Sequence, residues 1–130
     1  MSKWWVAVAW ALCPLAASAA DDWQPGAQVR IYDVGAFLEL TPDIAPGQAP
    51  NLAKVVPAID LTDQRHDFGE LKQNFVVQVR ARLKVPAEGW YAFRLTSDDG
   101  SLMWLNDQLV IDHDGLHGAV PRDASVLTRT

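Results

Sequence analysis

The sequence predicts an all-β chain: an antiparallel β-sandwich, preceded by a signal peptide. Three observations predict it. Side chains alternate with a period of two over 75–85 and again over 90–96. Of the 16 acidic residues 13 are Asp and only 3 are Glu, and Asp serves turns and caps where Glu serves helix interiors. No segment carries an amphipathic helical pattern of useful length. At 130 residues the chain has room for one domain and too little for two.

The first element is not part of that domain. After Lys3, the stretch from Trp4 to Ala20 holds 15 apolar residues of 17 and ends in small residues, Ala17-Ser18-Ala19-Ala20. A short basic start, an apolar run and a small-residue end read as a secretory signal peptide over 1–20. The rival reading is an uncleaved membrane anchor, for which the run is at the short end and lacks a basic stop. Cleavage after Ala20 removes Lys3 and Cys13, the single cysteine. Leu12 before Cys13 argues against lipid attachment, and the remaining domain, 21–130, would have no disulfide and no thiolate chemistry.

Val29 to Val34 alternates and reads as the first strand of the domain, with Ala36 to Leu40 a continuation past a bend at Gly35. From Thr41 to Pro57 the chain carries Pro42, Pro46, Pro50, Pro57 and Gly47, so a surface excursion is expected there. Asp60 to Leu71 fits either a short helical turn or a loop. In Phe75 to Val85, Val77, Val79, Ala81, Leu83 and Val85 share one face and Gln78, Arg80, Arg82 and Lys84 the other. Pro86 to Gly89 breaks that run, and Trp90 to Thr96 resumes it, which predicts an antiparallel hairpin. Ser97 to Gly100 is a second turn and Ser101 to Leu105 a strand. Asn106-Asp107 then tolerates the positive φ of a tight turn into Leu109 to Ile111.

Pro86, Gly89, Tyr91, Phe93, Ser97-Asp98-Asp99-Gly100-Ser101 and Trp104 together resemble the protective-antigen (PA14) domain family. The resemblance is specific over 75–117 and looser over 23–74. It implies a secreted, non-catalytic β-sandwich that often binds carbohydrate, sometimes through calcium. Family members usually continue past the segment matching 122–130 with further strands, so the resemblance implies that the C-terminal strands of the sandwich are missing from this chain.

Asp98 and Asp99 are the sharpest site candidates, for both metal and carbohydrate. Two adjacent carboxylates repel one another unless a cation or several donors stand close. In an extended trans segment their side chains diverge to opposite faces, whereas a cis peptide would turn both toward one ion. The resemblance implies such a cis unit in calcium-dependent members, and calcium suits hard oxygen donors and flexible geometry. The plain alternative is that the pair only braces the turn before Gly100. His113 and His117, flanked by Asp112 and Asp114, have a spacing that invites zinc or iron. Asp114-Gly115 argues for a loop instead, structural or facing a sugar. Trp104 and Trp90 are either stacking platforms for a sugar ring or core aromatics, with the core favoured. Tyr91 and Phe93 read as core, and His66-Asp67 as loop surface.

A net charge of −5 excludes a basic nucleic-acid binder. No nucleophile elbow, zinc-protease motif, phosphate loop or dinucleotide fingerprint occurs, and three Glu do not single out a glycosidase pair. The expected function is a secreted or periplasmic, lectin-like module that binds a glycan or polysaccharide and is not itself an enzyme. The alternative is a structural or interaction module accessory to a linked enzyme domain. Calcium is the one cofactor the reading raises.

Overall fold

The computed structural model describes residues 24–129 and the backbone of residues 2–6. Within them the chain is all-β. The strands are β1 (Ser2–Val6), β2 (Ala27–Asp33), β3 (Leu52–Val56), β4 (Phe75–Arg80), β5 (Gly89–Ser97), β6 (Ser101–Leu105), β7 (Gln108–His113) and β8 (Val120–Thr128). One 3₁₀ turn, Asp63–Arg65, interrupts them. Six strands form a sheet in the order β3-β2-β4-β1-β6-β7, and β5 with β8 forms a second sheet of two. Pairing is antiparallel except at β1, which lies parallel to both β4 and β6. That departs from the wholly antiparallel sandwich expected. The cleavage positions of the expected leader, and Cys13, lie outside the described residues.

The core is built on β2 and β4. Val29, Ile31, Val77 and Val79 are fully buried and pack with Phe75, Phe68 and Val56. The Phe68 and Phe75 rings sit 5.0 Å apart. Fully burying a branched aliphatic side chain contributes about 1.5–3 kcal/mol, so these four valine and isoleucine positions dominate the sheet's stability. On the opposite face Val76 and Tyr32 are also buried, in register with each other. Both faces of β4 are therefore covered, which the alternation of Val77 and Val79 with Gln78 does not announce. Gln78 itself is buried, contrary to the solvated face expected for it.

Five expectations are corrected. The run over 75–85 forms a strand only to Arg80, where its pairing with β2 ends opposite Gln28, and β4 has β1 and β2 on its two sides. With no edge left on β4, β5 crosses to the second sheet and pairs with β8, so the expected hairpin does not form. Residues 36–40 are not a strand: the Asp33 carboxylate accepts the Gly35 N–H at 2.9 Å and turns the chain, leaving Phe37 and Leu40 exposed. The proline-rich excursion contains β3, an edge strand beside β2 that lies between Pro50 and Pro57, where missing donors do no harm. Tyr91 and Phe93, on β5, are only half-buried and not full core.

Elsewhere the turns follow the residues. Asn106 and Asp107 both take positive φ, +49° and +63°, in the two-residue hairpin joining β6 to β7. Asp60 to Leu71 resolves into the 3₁₀ turn and a loop. There the Asp67 carboxylate accepts the Thr62 N–H at 2.9 Å and pairs with Lys54 and Arg65. The Thr62 N–H first, then the two cations, hold the Asp67 carboxyl below its ordinary range against the opposing effect of burial.

Candidate functional site

β5 delivers the chain into a turn at Asp98-Asp99-Gly100 and β6 takes it away. The flanking Ser97 and Ser101 are buried, and their hydroxyls share one hydrogen bond at 2.7 Å, which closes the neck of the turn. The Asp98–Asp99 peptide is cis. Asp98 is exposed, whereas Asp99 is 4% exposed.

The turn packs against the loop that follows β7. A Cβ on Gly100 would stand 2.6 Å from Asp114 Oδ1 and 2.7 Å from the Gly115 nitrogen, so only glycine fits. The Asp114 carboxylate is held in place from another direction. It accepts the Thr41 hydroxyl at 2.7 Å, the Thr41 N–H at 2.9 Å and the Gly115 N–H at 2.9 Å. Asp112 accepts the Asp114 N–H at 3.2 Å and shapes the start of the loop.

This packing brings His117 to Asp99. The His117 main-chain N–H donates to Asp99 Oδ1 at 3.2 Å. Asp99 Oδ2 is buried and meets no donor in the protein. The His117 ring stacks on His113 with centroids 3.9 Å apart. Its Nδ1 lies 2.8 Å from the Gly118 carbonyl oxygen and its Nε2 3.0 Å from that of His113. Carbonyl oxygens only accept, so both contacts are hydrogen bonds only when both ring nitrogens carry protons. Burial on its own pushes the His117 pKa down. The two carbonyls, and behind them Asp99 and Asp98, outweigh burial and raise it above the ordinary histidine value.

The two clusters that the sequence separates are thus one site. Asp98, Asp99, His113 and His117 converge, and the loop after β7 braces Asp99 through the His117 N–H. The histidine spacing does not make a metal centre, since both His117 nitrogens face carbonyl oxygens. Among the described residues no group of three or more His, Cys, Asp or Glu converges as a metal centre.

Trp104 is half-buried on β6 opposite Leu109, three residues beyond Ser101 and hence about 10 Å along the strand. Trp90 is not core: it is 73% exposed, opposite Leu127, at the end of β5 away from the turn.

Beside Asp98 opens a cavity of about 410 Å³, lined also by Ser97, Thr62, Asp63, Lys72 and Phe68. Lys72 and Asp63 form an ion pair at 2.8 Å on its rim. Such a volume is at the lower end for a small-ligand pocket, and it combines a few polar groups with an aromatic floor. Sequence reasoning missed Thr62, Asp63 and Lys72, because Asp60 to Leu71 carries no motif. It also missed Thr41, whose partner is 73 residues away.

The profile of the PA14 domain matches residues 23–129. No curated protein and no solved structure matches the chain.

Proposed function

The chain belongs to the PA14 domain family, whose domains are carbohydrate-binding and adhesion-type modules, and from that premise we propose that it is an exported, non-catalytic module that binds a glycan or polysaccharide at the Asp98-Asp99 turn. The observation that carries this reading is Asp99 Oδ2, a buried carboxylate oxygen without a donor. Leaving such a group unsatisfied costs about 1–3 kcal/mol or more, so a partner from outside the chain is the economical solution.

Calcium fits these donors. Asp98 and Asp99 offer hard carboxylate oxygens on adjacent residues, and both ring nitrogens of His117 face carbonyl oxygens. Two carboxylates leave most of the roughly 6–8 oxygen positions of calcium to carbonyls, water and ligand hydroxyls. When bound, the ion would supply positive charge to which neighbouring sugar hydroxyls can attach. The chain's own residues do the remaining work. The His117 N–H fixes the orientation of Asp99, Gly100 keeps the turn against its supporting loop, and Asp98 faces the cavity. Thr62, Asp63 and Lys72 offer hydroxyl-matching donors and acceptors over the Phe68 ring.

The apolar stretch before Ala20 is read as the export leader that places the module outside the cytoplasm, beside a linked enzyme domain or the cell-surface glycan it engages. The test is retention on a glycan array in calcium and in chelator, for the native chain and for Asp98→Ala. Retention that requires calcium and disappears in Asp98→Ala supports the reading. A cooperatively folded chain with no retention in either condition replaces it with the structural or interaction module.

A further inference from the structure

The second sheet presents a face that the Asp98-Asp99 site does not use. Exposure alternates along β5, which turns Trp90, Ala92 and Arg94 outward. Their partners on β8 are Leu127, Ser125 and Asp123, and residues directly opposite in an antiparallel pair share a face. Apolar side chains hold one end of it, with Trp90 73% exposed and Leu127 43%. A lone exposed leucine calls for no account, but here it adjoins an indole, the largest apolar group a chain can set in water. The Thr128 hydroxyl donates to the Gly89 carbonyl at 3.2 Å and the Tyr91 hydroxyl to the Ala87 carbonyl at 2.7 Å, so the backbone beside Trp90 is pinned.

Polar groups hold the other end, four residues and hence about 13 Å along the strand. The Arg94 guanidinium donates from Nε to Asp123 Oδ1 and from Nη2 to Oδ2, both at 2.7 Å. Exposed ion pairs add little stability, but two parallel hydrogen bonds fix the plane of both groups. They use two of the five guanidinium N–H groups and leave carboxylate lone pairs over, so donors and acceptors stand side by side. Between the two ends the small side chains of Ala92 and Ser125 make a low floor. The space over that floor is a shallow trough of about 530 Å³, bounded by Arg94 and Asp123.

The size and charge of the face select its occupant. Two nine-residue strands offer an area of about 30 Å by 10 Å. A symmetric dimer would bury about 600 Å² on it, against the roughly 1,200–2,000 Å² of stable interfaces, so a second copy does not fit. Among its outward positions only Arg94 and Asp123 are charged, and they pair with each other, so nothing here draws a polyanion or a polycation. A neutral ligand with a flat apolar surface for the indole and adjacent hydroxyls for the fork matches both ends, and a sugar ring carries both features.

We propose that this trough is a second polysaccharide-binding face, selective for neutral sugars and independent of calcium. One ring stacks on Trp90 beside Leu127, and the next sets neighbouring hydroxyls on the Arg94–Asp123 fork. Trp90 and Asp98 are eight residues apart along β5 and its end, about 26 Å, so this face works whether or not the turn binds a glycan.

The test is affinity electrophoresis of the full chain in native gels with chelator, the gels holding a mixed-linkage β-glucan, a galactomannan or alginate. Retardation by at least one of the two neutral polymers is expected, with acidic alginate without effect. Trp90→Ala should weaken it about tenfold or more, Arg94→Met should weaken it as well, and Trp90→Phe should keep most of it. Both positions are exposed, so thermal melting of each variant should stay near the native midpoint and separate lost binding from lost folding. No retardation in either neutral gel, retardation of Trp90→Ala or Arg94→Met equal to that of the native chain, or retardation that requires calcium would overturn the proposal. Stronger retardation in alginate would also overturn it and assign the face to an acidic polymer. A dimer in sedimentation that Trp90→Ala dissolves would overturn it in favour of a second copy. Calcium-dependent retention belongs to the turn and fails or succeeds separately.

Discussion

Asp99 takes the main-chain N–H of His117 on one carboxylate oxygen, at 3.2 Å, and keeps the other oxygen buried without a donor. The residue is anchored through one oxygen only. Asp99→Asn preserves an oxygen for His117 and removes the charge. In chelator its stability is expected within about 1 kcal/mol of the native chain. The calcium-dependent rise in melting temperature expected of the native chain should vanish. Thermal melts at several calcium concentrations decide it, because an ion that binds only the folded state raises the midpoint once it exceeds its Kd. A variant that melts far lower in chelator yet still responds to calcium would make Asp99 a turn brace.

The raised pKa of His117 sets a pH dependence of definite sign. A group with a higher pKa folded than unfolded stabilises fully below its unfolded value, ordinarily 6.5, and that contribution is lost as pH rises through the folded value. Stability without calcium should therefore fall as pH rises above about 6.5. His117→Asn should flatten that fall. Urea midpoints across the range measure it, and the ring's NMR titration assigns it.

Gly100→Ala should destabilise the chain by about 1–3 kcal/mol through overpacking. The new methyl would press on Asp114 and Gly115, and Asp114 has little freedom to give way while Thr41 and Gly115 hold its carboxylate. Urea unfolding reads the loss. Glycan retention should fall with it even at temperatures where the variant remains folded.

Asp114→Ala leaves the Thr41 N–H, the Thr41 hydroxyl and the Gly115 N–H without their acceptor, at a cost of about 1–3 kcal/mol. Asp114→Asn keeps one oxygen and should recover part of it. Thr41→Val removes only the hydroxyl and should cost less than Asp114→Ala. A double-mutant cycle between positions 41 and 114 gives the coupling directly.

Much of this architecture is visible in residue order. The β6–β7 hairpin follows from Asn106-Asp107, and the site's central turn stands out as Ser97-Asp98-Asp99-Gly100-Ser101. Alternation found the strands but not their partners, because period two reports which face a side chain takes and says nothing about the neighbouring strand. For that reason 75–85 and 90–96 looked like a hairpin while β5 joins the other sheet. Trp90 misled for a related cause: an aromatic in a strand packs inward only where a second layer lies above it, and the outer face of β5 has none. The joining of Asp99 to His117 and of Thr41 to Asp114 was illegible, since each is a tertiary contact between loops of unremarkable composition.

The Thr41–Asp114 contact also fixes an order of events during synthesis. The chain is made from its amino end at roughly 5–20 residues per second, so Thr41 precedes the carboxylate that will hold it by roughly 4–15 s. Throughout that interval the Thr41 N–H and hydroxyl lack the Asp114 carboxylate, although β3 farther along the loop already has β2 to pair with. A protease or chaperone acting on the nascent chain meets the segment around Thr41 before its final anchor exists, and the arrival of residue 114 supplies it.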